Sequence, residues 1–252
     1  MKNSTIQSKT VKIALILLSI AFWLALWQIC AMIVNRTFFL PSIPETFKAL
    51  VKLLVTKEFY MRCALTLLRV LSGLTLGTVF GILFAVFSHH SAIVYAIISP
   101  MVKVIKATPV ASFIILFWVM FSGNALAIII ALLMVMPIIW QNLLDGYNSI
   151  DPELVEVCDA YEIGFYKKLR ILVLPALSKY FIPAFITASG LAWKSEIAAE
   201  IIAYTKNSIG QAINDAKYDF NMPTVFAWSV VIIALSVLFE FGLKRLLARY
   251  DG

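Results

Sequence analysis

Charge is scarce in this chain of 252 residues. Asp, Glu, Lys and Arg make up 14% of it and hydrophobic residues 62%, where an ordinary soluble domain carries about 25% charged residues. Apolar runs of roughly 18 residues or more recur, which excludes an ordinary soluble fold and indicates a polytopic α-helical membrane protein. The runs are continuous, not alternating, which argues against a β-barrel. Histidine is confined to His89 and His90. They are adjacent, whereas two helical metal ligands need i, i+3 or i+4 spacing, so no metal site is expected. Cys30, Cys63 and Cys158 are odd in number and scattered, and they read as small apolar residues. No Gly-x4-Gly-Lys-Ser/Thr phosphate loop is present, nor Gly-x-Ser-x-Gly, His-Glu-x-x-His or a carboxylate–histidine cluster. No catalytic residue is therefore assigned, the chain is not expected to be an enzyme, and no cofactor is expected on it. A dense basic cluster interleaved with aromatics is also missing. The net charge of +7 reads as membrane-flanking positive charge, not as a nucleic-acid surface.

Six membrane spans follow from the apolar runs. The first is Ile13 to Val34, too long for a signal-peptide core and read as a retained helix. Residues 35–62 form an external connection. Within it, Phe47, Leu50, Val51 and Leu54 share one face of an amphipathic helix, on the membrane surface or over the bundle. The second span, Leu65 to Phe87, carries Gly73, Gly77 and Gly81 at four-residue spacing. Such a stripe permits close helix approach, either as simple packing or beside a pathway. The third region, Ser91 to Phe121, is interrupted by Pro100 and Pro109. Either a broken helix exposes carbonyls to a pathway, or Pro100 only starts a helix and Lys103 and Lys106 lie near the interface. Ser122-Gly123-Asn124 is a tight turn before the fourth span, Ala125 to Leu144. The fifth span is Lys179 to Tyr204, and residues 205–222 form an outer connection. The sixth starts around Pro223 and runs to about Leu243. Six crossings put both termini on the inner side, and the excess of Lys and Arg on the inner segments points the same way, weakly. Residues 1–63 separate as an N-terminal span with its external connection, and 64–250 as a five-helix core.

Charges inside the spans need partners or water, because each costs about 2.5–3.5 kcal/mol at the bilayer centre. Arg69 lies near the outer end of the second span and either snorkels or faces a polar cavity. Lys194, Glu196 and Glu200 lie within seven residues of the fifth. Glu196 and Glu200 share a face, and Lys194 points away from both. At least one of the three needs a partner on another helix or a hydrated cavity. These four are the candidates for a translocation pathway, with pairing across helices as the structural alternative.

The longest polar-rich interval is Ser149 to Pro183. Asp151 is a good N-cap, Pro152 suits the first helical position, and Glu153 follows in the first turn. Leu154, Val157, Cys158 and Tyr161 fall on one helical face, and Glu153, Glu156, Asp159 and Glu162 largely on the other. Gly164 is the expected left-handed C-cap. A basic segment with Lys167, Lys168 and Arg170 follows, and Pro175 is expected to break it. The apolar face needs a socket, on this chain or on a partner.

This interval resembles the cytoplasmic coupling loop of ATP-binding-cassette (ABC) importer permeases, whose pattern is Glu-Ala-Ala, three residues, Gly, nine residues, Ile-x-Leu-Pro. Counting back from Leu174-Pro175, the Glu falls on Glu156, the two Ala on Val157 and Cys158, the Gly on Glu162 and the Ile on Leu172. Gly164 comes two residues late. Gly190-Leu191-Ala192-Trp193-Lys194-Ser195, Ala198-Ala199-Glu200 and Asp151-Pro152-Glu153-Leu154 are similar to the nitrate/sulfonate/taurine branch. The resemblance covers roughly residues 64–250. It implies the all-α fold of a type I importer permease, with six transmembrane helices and a cytoplasmic coupling helix. It also implies two permease copies, two cytoplasmic ATPase subunits that hold ATP and Mg, an extracytoplasmic binding protein, and the inner membrane of a bacterium. Contact with the ATPase would fall on Glu153, Leu154, Glu156, Val157, Cys158, Asp159, Ala160, Tyr161, Glu162 and Gly164. The cargo implied is a nitrate-, sulfonate- or taurine-like anion or a thiamine-pyrimidine precursor. The competing reading is a self-sufficient secondary transporter or channel with Lys194, Glu196 and Glu200 as an ion relay.

Overall fold

A computed structural model describes residues 9–121 and 123–247. They form helices α1 (Lys9–Val34), α2 (Ile43–Leu54), α3 (Lys57–His90), α4 (Ala92–Ala107), α5 (Val110–Trp118) and α6 (Asn124–Asn148). After these come α7 (Pro152–Ala160), α8 (Phe165–Lys168), a π turn (Leu169–Val173), α9 (Leu174–Ile202), α10 (Ile209–Tyr218) and α11 (Met222–Leu247). No strand occurs among the described residues. Five stretches are long and apolar enough to cross a membrane, and the bent pair α4–α5 brings the number to six.

The chain packs as two compact units, Met1–Tyr60 with Ala212–Val231, and Met61–Gln211 with Ile232–Gly252. In the first, aromatic rings tie distant segments together. Trp228 stacks on Phe59 at 5.2 Å, Phe226 lies 5.7 Å from Trp27, and Phe220 lies 5.5 Å from Phe38. Residues 212–231, read from sequence as part of the five-helix core, therefore join the N-terminal unit. Here α2 begins with a reciprocal cap: Ser42 donates its N–H and its hydroxyl to the Glu45 carboxylate at 2.8 and 2.7 Å. These bonds, the backbone one foremost, hold the Glu45 carboxyl below its ordinary range. A lowered folded-state value means the cap contributes above the ordinary carboxylate range and is lost as pH falls through the lowered one.

In the second unit, α3 lies on α6. A Cβ placed on Gly77 would stand 2.6 Å from the Val135 Cβ and 2.9 Å from the Leu132 carbonyl oxygen. One placed on Gly81 would stand 2.7 Å from the Ile139 Cβ, and one on Gly73 would strike Ala131. The residue pairs rise together along both helices, so α3 and α6 run parallel. Parallel helices enclose one net crossing, which makes α4 and α5 a single span. They are bent by 103° at Thr108–Pro109. Pro100 interrupts nothing: it sits inside α4. Between α6 and α9 the direction reverses. Ala199 and Ala203 pack with Leu126, Ala127 and Ile130 at one end, and Leu177 and Tyr180 lie against Gly146 at the other. The segment joining α6 to α9 thus lies at the same end as His90. Gly123 takes a left-handed φ of +59° before α6, as its place in the expected turn requires; Ser122 lies outside the described residues.

Gly77→Ala should cost about 1–3 kcal/mol through overpacking, read as a lower melting temperature in detergent. Gly242, with nothing within 4 Å of an added Cβ, should accept Ala without that loss.

Candidate functional site

Two polar sites lie at opposite ends of the α3–α6 pair. The first gathers around Glu200, which is fully buried near the end of α9. Its carboxylate accepts from Thr66 Oγ1 at 2.8 Å, Arg69 Nη1 at 2.7 Å and the Gly210 N–H at 3.1 Å. Arg69 also donates through Nε to Asn124 Oδ1 at 3.0 Å and through Nη2 to the Lys206 carbonyl at 3.1 Å. The Ile209 N–H donates to Thr66 Oγ1 at 3.1 Å. The network therefore joins α3, α6, α9 and the start of α10, where the Gly210 amide points at a carboxylate as the helix dipole favours. Gly210 is required there, since any Cβ would overlap Glu200. Arg69 is 5% exposed and bonded through all three of its nitrogens, so here it does not snorkel.

Of the three charges in α9, Glu200 has found its partner on another helix. Glu196 is equally buried, one turn away, and its carboxyl oxygens have no hydrogen-bond partner among the described residues. Lys194 is exposed. The three do not converge, which removes the geometry of an ion relay through them. Sequence reasoning missed Thr66, Asn124 and Gly210, and it missed α10 within the outer connection. Ile209, Ala212 and Ala216 are buried at helical spacing, and Ser208 Oγ caps the Gln211 N–H at 2.8 Å; that pattern was the available signal.

The second site is α7. The Asp151 carboxylate accepts from the Glu153 N–H at 2.9 Å, and Pro152 occupies the first turn. At the other end the Ile163 N–H reaches the Cys158 carbonyl at 2.9 Å, and the Glu162 N–H reaches the Asp159 carbonyl at 3.0 Å. This is a Schellman closure with Glu162, φ +49°, at the left-handed position. Gly164 is not the C-cap; its φ is −58°. The left-handed residue stands where the family's glycine falls in the count from Leu174-Pro175. Cys158 is buried, while Leu154, Val157 and Tyr161 are 51%, 50% and 78% exposed. Most of the apolar face therefore finds no socket among the described residues.

Past α7, Lys168 Nζ bonds Asp159 at 2.7 Å, fastening the end of α7 to α8. Pro175 does not break the helix. The Leu174 N–H bonds the Leu169 carbonyl in an i to i−5 turn just before it, and the helical path continues from Phe165 to Ile202. The widened turn precedes a residue whose nitrogen has no N–H to donate, and the helix passes through it without a break.

Replacing Arg69 by Met should destabilise the chain by about 3–5 kcal/mol, because it strands a buried carboxylate. A second change, Glu200→Met, should recover part of that, as a double-mutant cycle in detergent would read. Glu162→Gly should instead stabilise by about 1–2 kcal/mol, by relieving a left-handed non-glycine residue.

A family model described as the binding-protein-dependent transport system inner membrane component matches residues 77–252. The taurine transport system permease protein of Escherichia coli (strain K12) is 21% identical over 229 residues, 88% of this chain and 83% of that protein. A protein of Methanocaldococcus jannaschii, described as an ABC transporter permease, is 20% identical over 99% of this chain and 95% of its own length. Among solved structures, an inward-facing form of the MetNI methionine ABC transporter superposes with a TM-score of 0.59 at 17% identity, covering 75% of this chain and 93% of that one. An amino acid ABC transporter crystallised with histidines gives 0.59 at 15% identity over 74% and 89%. These superpositions fix a shared fold, and the match over residues 77–252 fixes the family: this multi-pass membrane protein belongs to the binding-protein-dependent transport system inner membrane components, as a permease component of an ABC importer.

Proposed function

We propose that α7 is the docking element for a cytoplasmic ATPase subunit, and that two copies of this chain form the pathway between two such subunits. The observation that carries this is the exposed apolar arc of Leu154, Val157 and Tyr161, on a helix fixed at both ends. A capped nine-residue helix with bare apolar side chains is suited to a partner's groove. ATP and Mg belong to that partner, since this chain has no phosphate loop. Closure of the ATPase pair would press on α7. The Lys168–Asp159 bond and the unbroken helix from Phe165 to Ile202 would carry the displacement into the spans. Transport is then a shift between two packings, biased by ATP binding to one of them.

On this reading the α7 end and both termini face the cytoplasm, in a bacterial inner membrane. An extracytoplasmic binding protein delivers the cargo at the opposite face. Lys194 is the pathway candidate that remains, because an exposed charge on a span cannot face lipid without cost. A cation there suits a small anion, and the E. coli relative named for taurine supports a sulfonate, taurine or nitrate-like cargo over a thiamine-pyrimidine precursor. The Arg69–Glu200 pair, buried and bonded to three further residues and a main-chain carbonyl, is assigned a structural role.

Purification from the native host in mild detergent should bring down a stoichiometric ATPase. Tyr161→Asp should weaken its retention about thirtyfold or more, as loss of an interface anchor does, and Glu156→Lys should release it too. Retention unchanged in both variants defeats the docking assignment. Lys194→Ala should lower uptake while the ATPase stays bound; unchanged uptake kinetics remove Lys194 from the pathway.

A further inference from the structure

The ends of α3 and α6, the inner side of α7 and the π turn enclose a cavity of about 810 Å³. His89, His90, Glu156 and Lys168 are among its lining, with Val86, Leu169 and Leu172 as apolar wall. A second cavity of about 350 Å³ shares Val86, Tyr147 and Leu169 with the first and continues between Ile82, Leu143, Leu177 and Phe181. Together they make one groove with a charged mouth and an apolar interior. The only hydroxyls in the interior are Tyr147, at the junction, and Ser178, which already donates to the Pro175 carbonyl at 2.9 Å.

The groove is graded as a bilayer leaflet is. Its mouth lies where α3 ends at His90 and α6 ends at Asn148. Its interior reaches Ile82, eight residues back along α3 and thus about 12 Å deeper, against a leaflet's hydrocarbon depth of about 15 Å. Charges of both signs stand at the mouth. Lys168 gives one N–H to Asp159 and keeps two. His90 engages the Val86 carbonyl through Nδ1 at 2.9 Å and keeps Nε2. Glu156 supplies an anion on the facing side of the cavity. A peptide or a second copy of the chain would not require this grading; a zwitterionic lipid matches it at both levels.

We propose that this groove binds one phospholipid with a phosphoethanolamine headgroup. Its phosphate meets Lys168 and His90, its ammonium meets Glu156, and one acyl chain lies between Ile82, Leu143, Leu177 and Phe181. The lipid braces α7 against the ends of α3 and α9. The assignment does not rest on ATPase docking, and the test below separates the two.

The transporter complex, purified and delipidated in mild detergent, is titrated with phosphatidylethanolamine and, separately, phosphatidylglycerol, and read by native mass spectrometry. One phosphatidylethanolamine per copy of this chain is expected, in preference to phosphatidylglycerol. Leu177→Trp, which fills the interior, should abolish the adduct, and Glu156→Gln should remove the headgroup preference. Should Leu177→Trp fail to fold, Ile82→Trp fills the same wall from an exposed position. No adduct, an adduct indifferent to a filled groove, or equal binding of the two lipids overturns the proposal. So does a disulfide between copies through Leu177→Cys, which would make the groove an interface between protomers. Retention of the ATPase is scored in the same spectra, so loss of lipid with the ATPase still bound is distinguishable from loss of docking.

Discussion

The contact of α3 with α6 sets the rest. Three glycines on one stripe leave no side chain on α3 at those positions, so its backbone comes within van der Waals reach of the α6 carbonyls. In lipid no hydrophobic force drives helices together, and close packing is the main source of affinity between them. The stripe fixes the register as well as the distance, because Gly73, Gly77 and Gly81 meet Ala131, Val135 and Ile139 in order. It also fixes the direction. A parallel pair obliges the intervening chain to cross once, and the bend at Thr108–Pro109 lets α4 and α5 share that crossing.

From that register follow the places of the charges. That register sets the fourth turn of α3 level with the first turn of α6, so Arg69 meets Asn124, and the antiparallel α9 brings Glu200 to the same level. A buried ion pair stabilises only when the remaining donors and acceptors are also satisfied. Here the carboxylate also has the Thr66 hydroxyl and the Gly210 amide, and the guanidinium an amide oxygen and a main-chain carbonyl. The opposite end of the bundle carries no such clasp on α7. One end is closed by charge, and the other presents bare apolar side chains.

Local signals were legible from residues alone. The Asp151-Pro152 helix start, the glycine stripe and the span sequence depend on near neighbours or on composition, and they stand where the pattern put them. The capping of α7 shows the limit. A glycine draws the eye as a left-handed cap, yet the chain uses Glu162 and leaves Gly164 at a negative φ. The closure is made by the Cys158 and Asp159 carbonyls, which take the Ile163 and Glu162 amides and leave Gly164 beyond the turn. Pro175 misled for a similar reason, since a proline's effect depends on whether the preceding turn can widen, and here it does. The Arg69–Glu200 pair spans 131 residues of sequence. No periodicity can announce a partner at that separation, only the need for one.

The widened turn before Pro175 bears on how a push on α7 could move a span. A regular helix resists bending because each turn is bonded to the one before. In Leu169–Val173 the bonding shifts to i−5, and Pro175 has no amide to give. The path from Phe165 to Ile202 is therefore continuous, but softest at residues 169–175, near its start. Lys168 stands on the near side of that soft point, fastened to α7 through Asp159. Glu200 stands far beyond it, locked to α3 and α6. A displacement applied at α7 would thus be taken up between residues 169 and 175, or would swing the first turns of α9 about the fixed pair at its end. The second motion opens and closes the α6–α9 seam from the α7 side only, while the Arg69–Glu200 end stays shut.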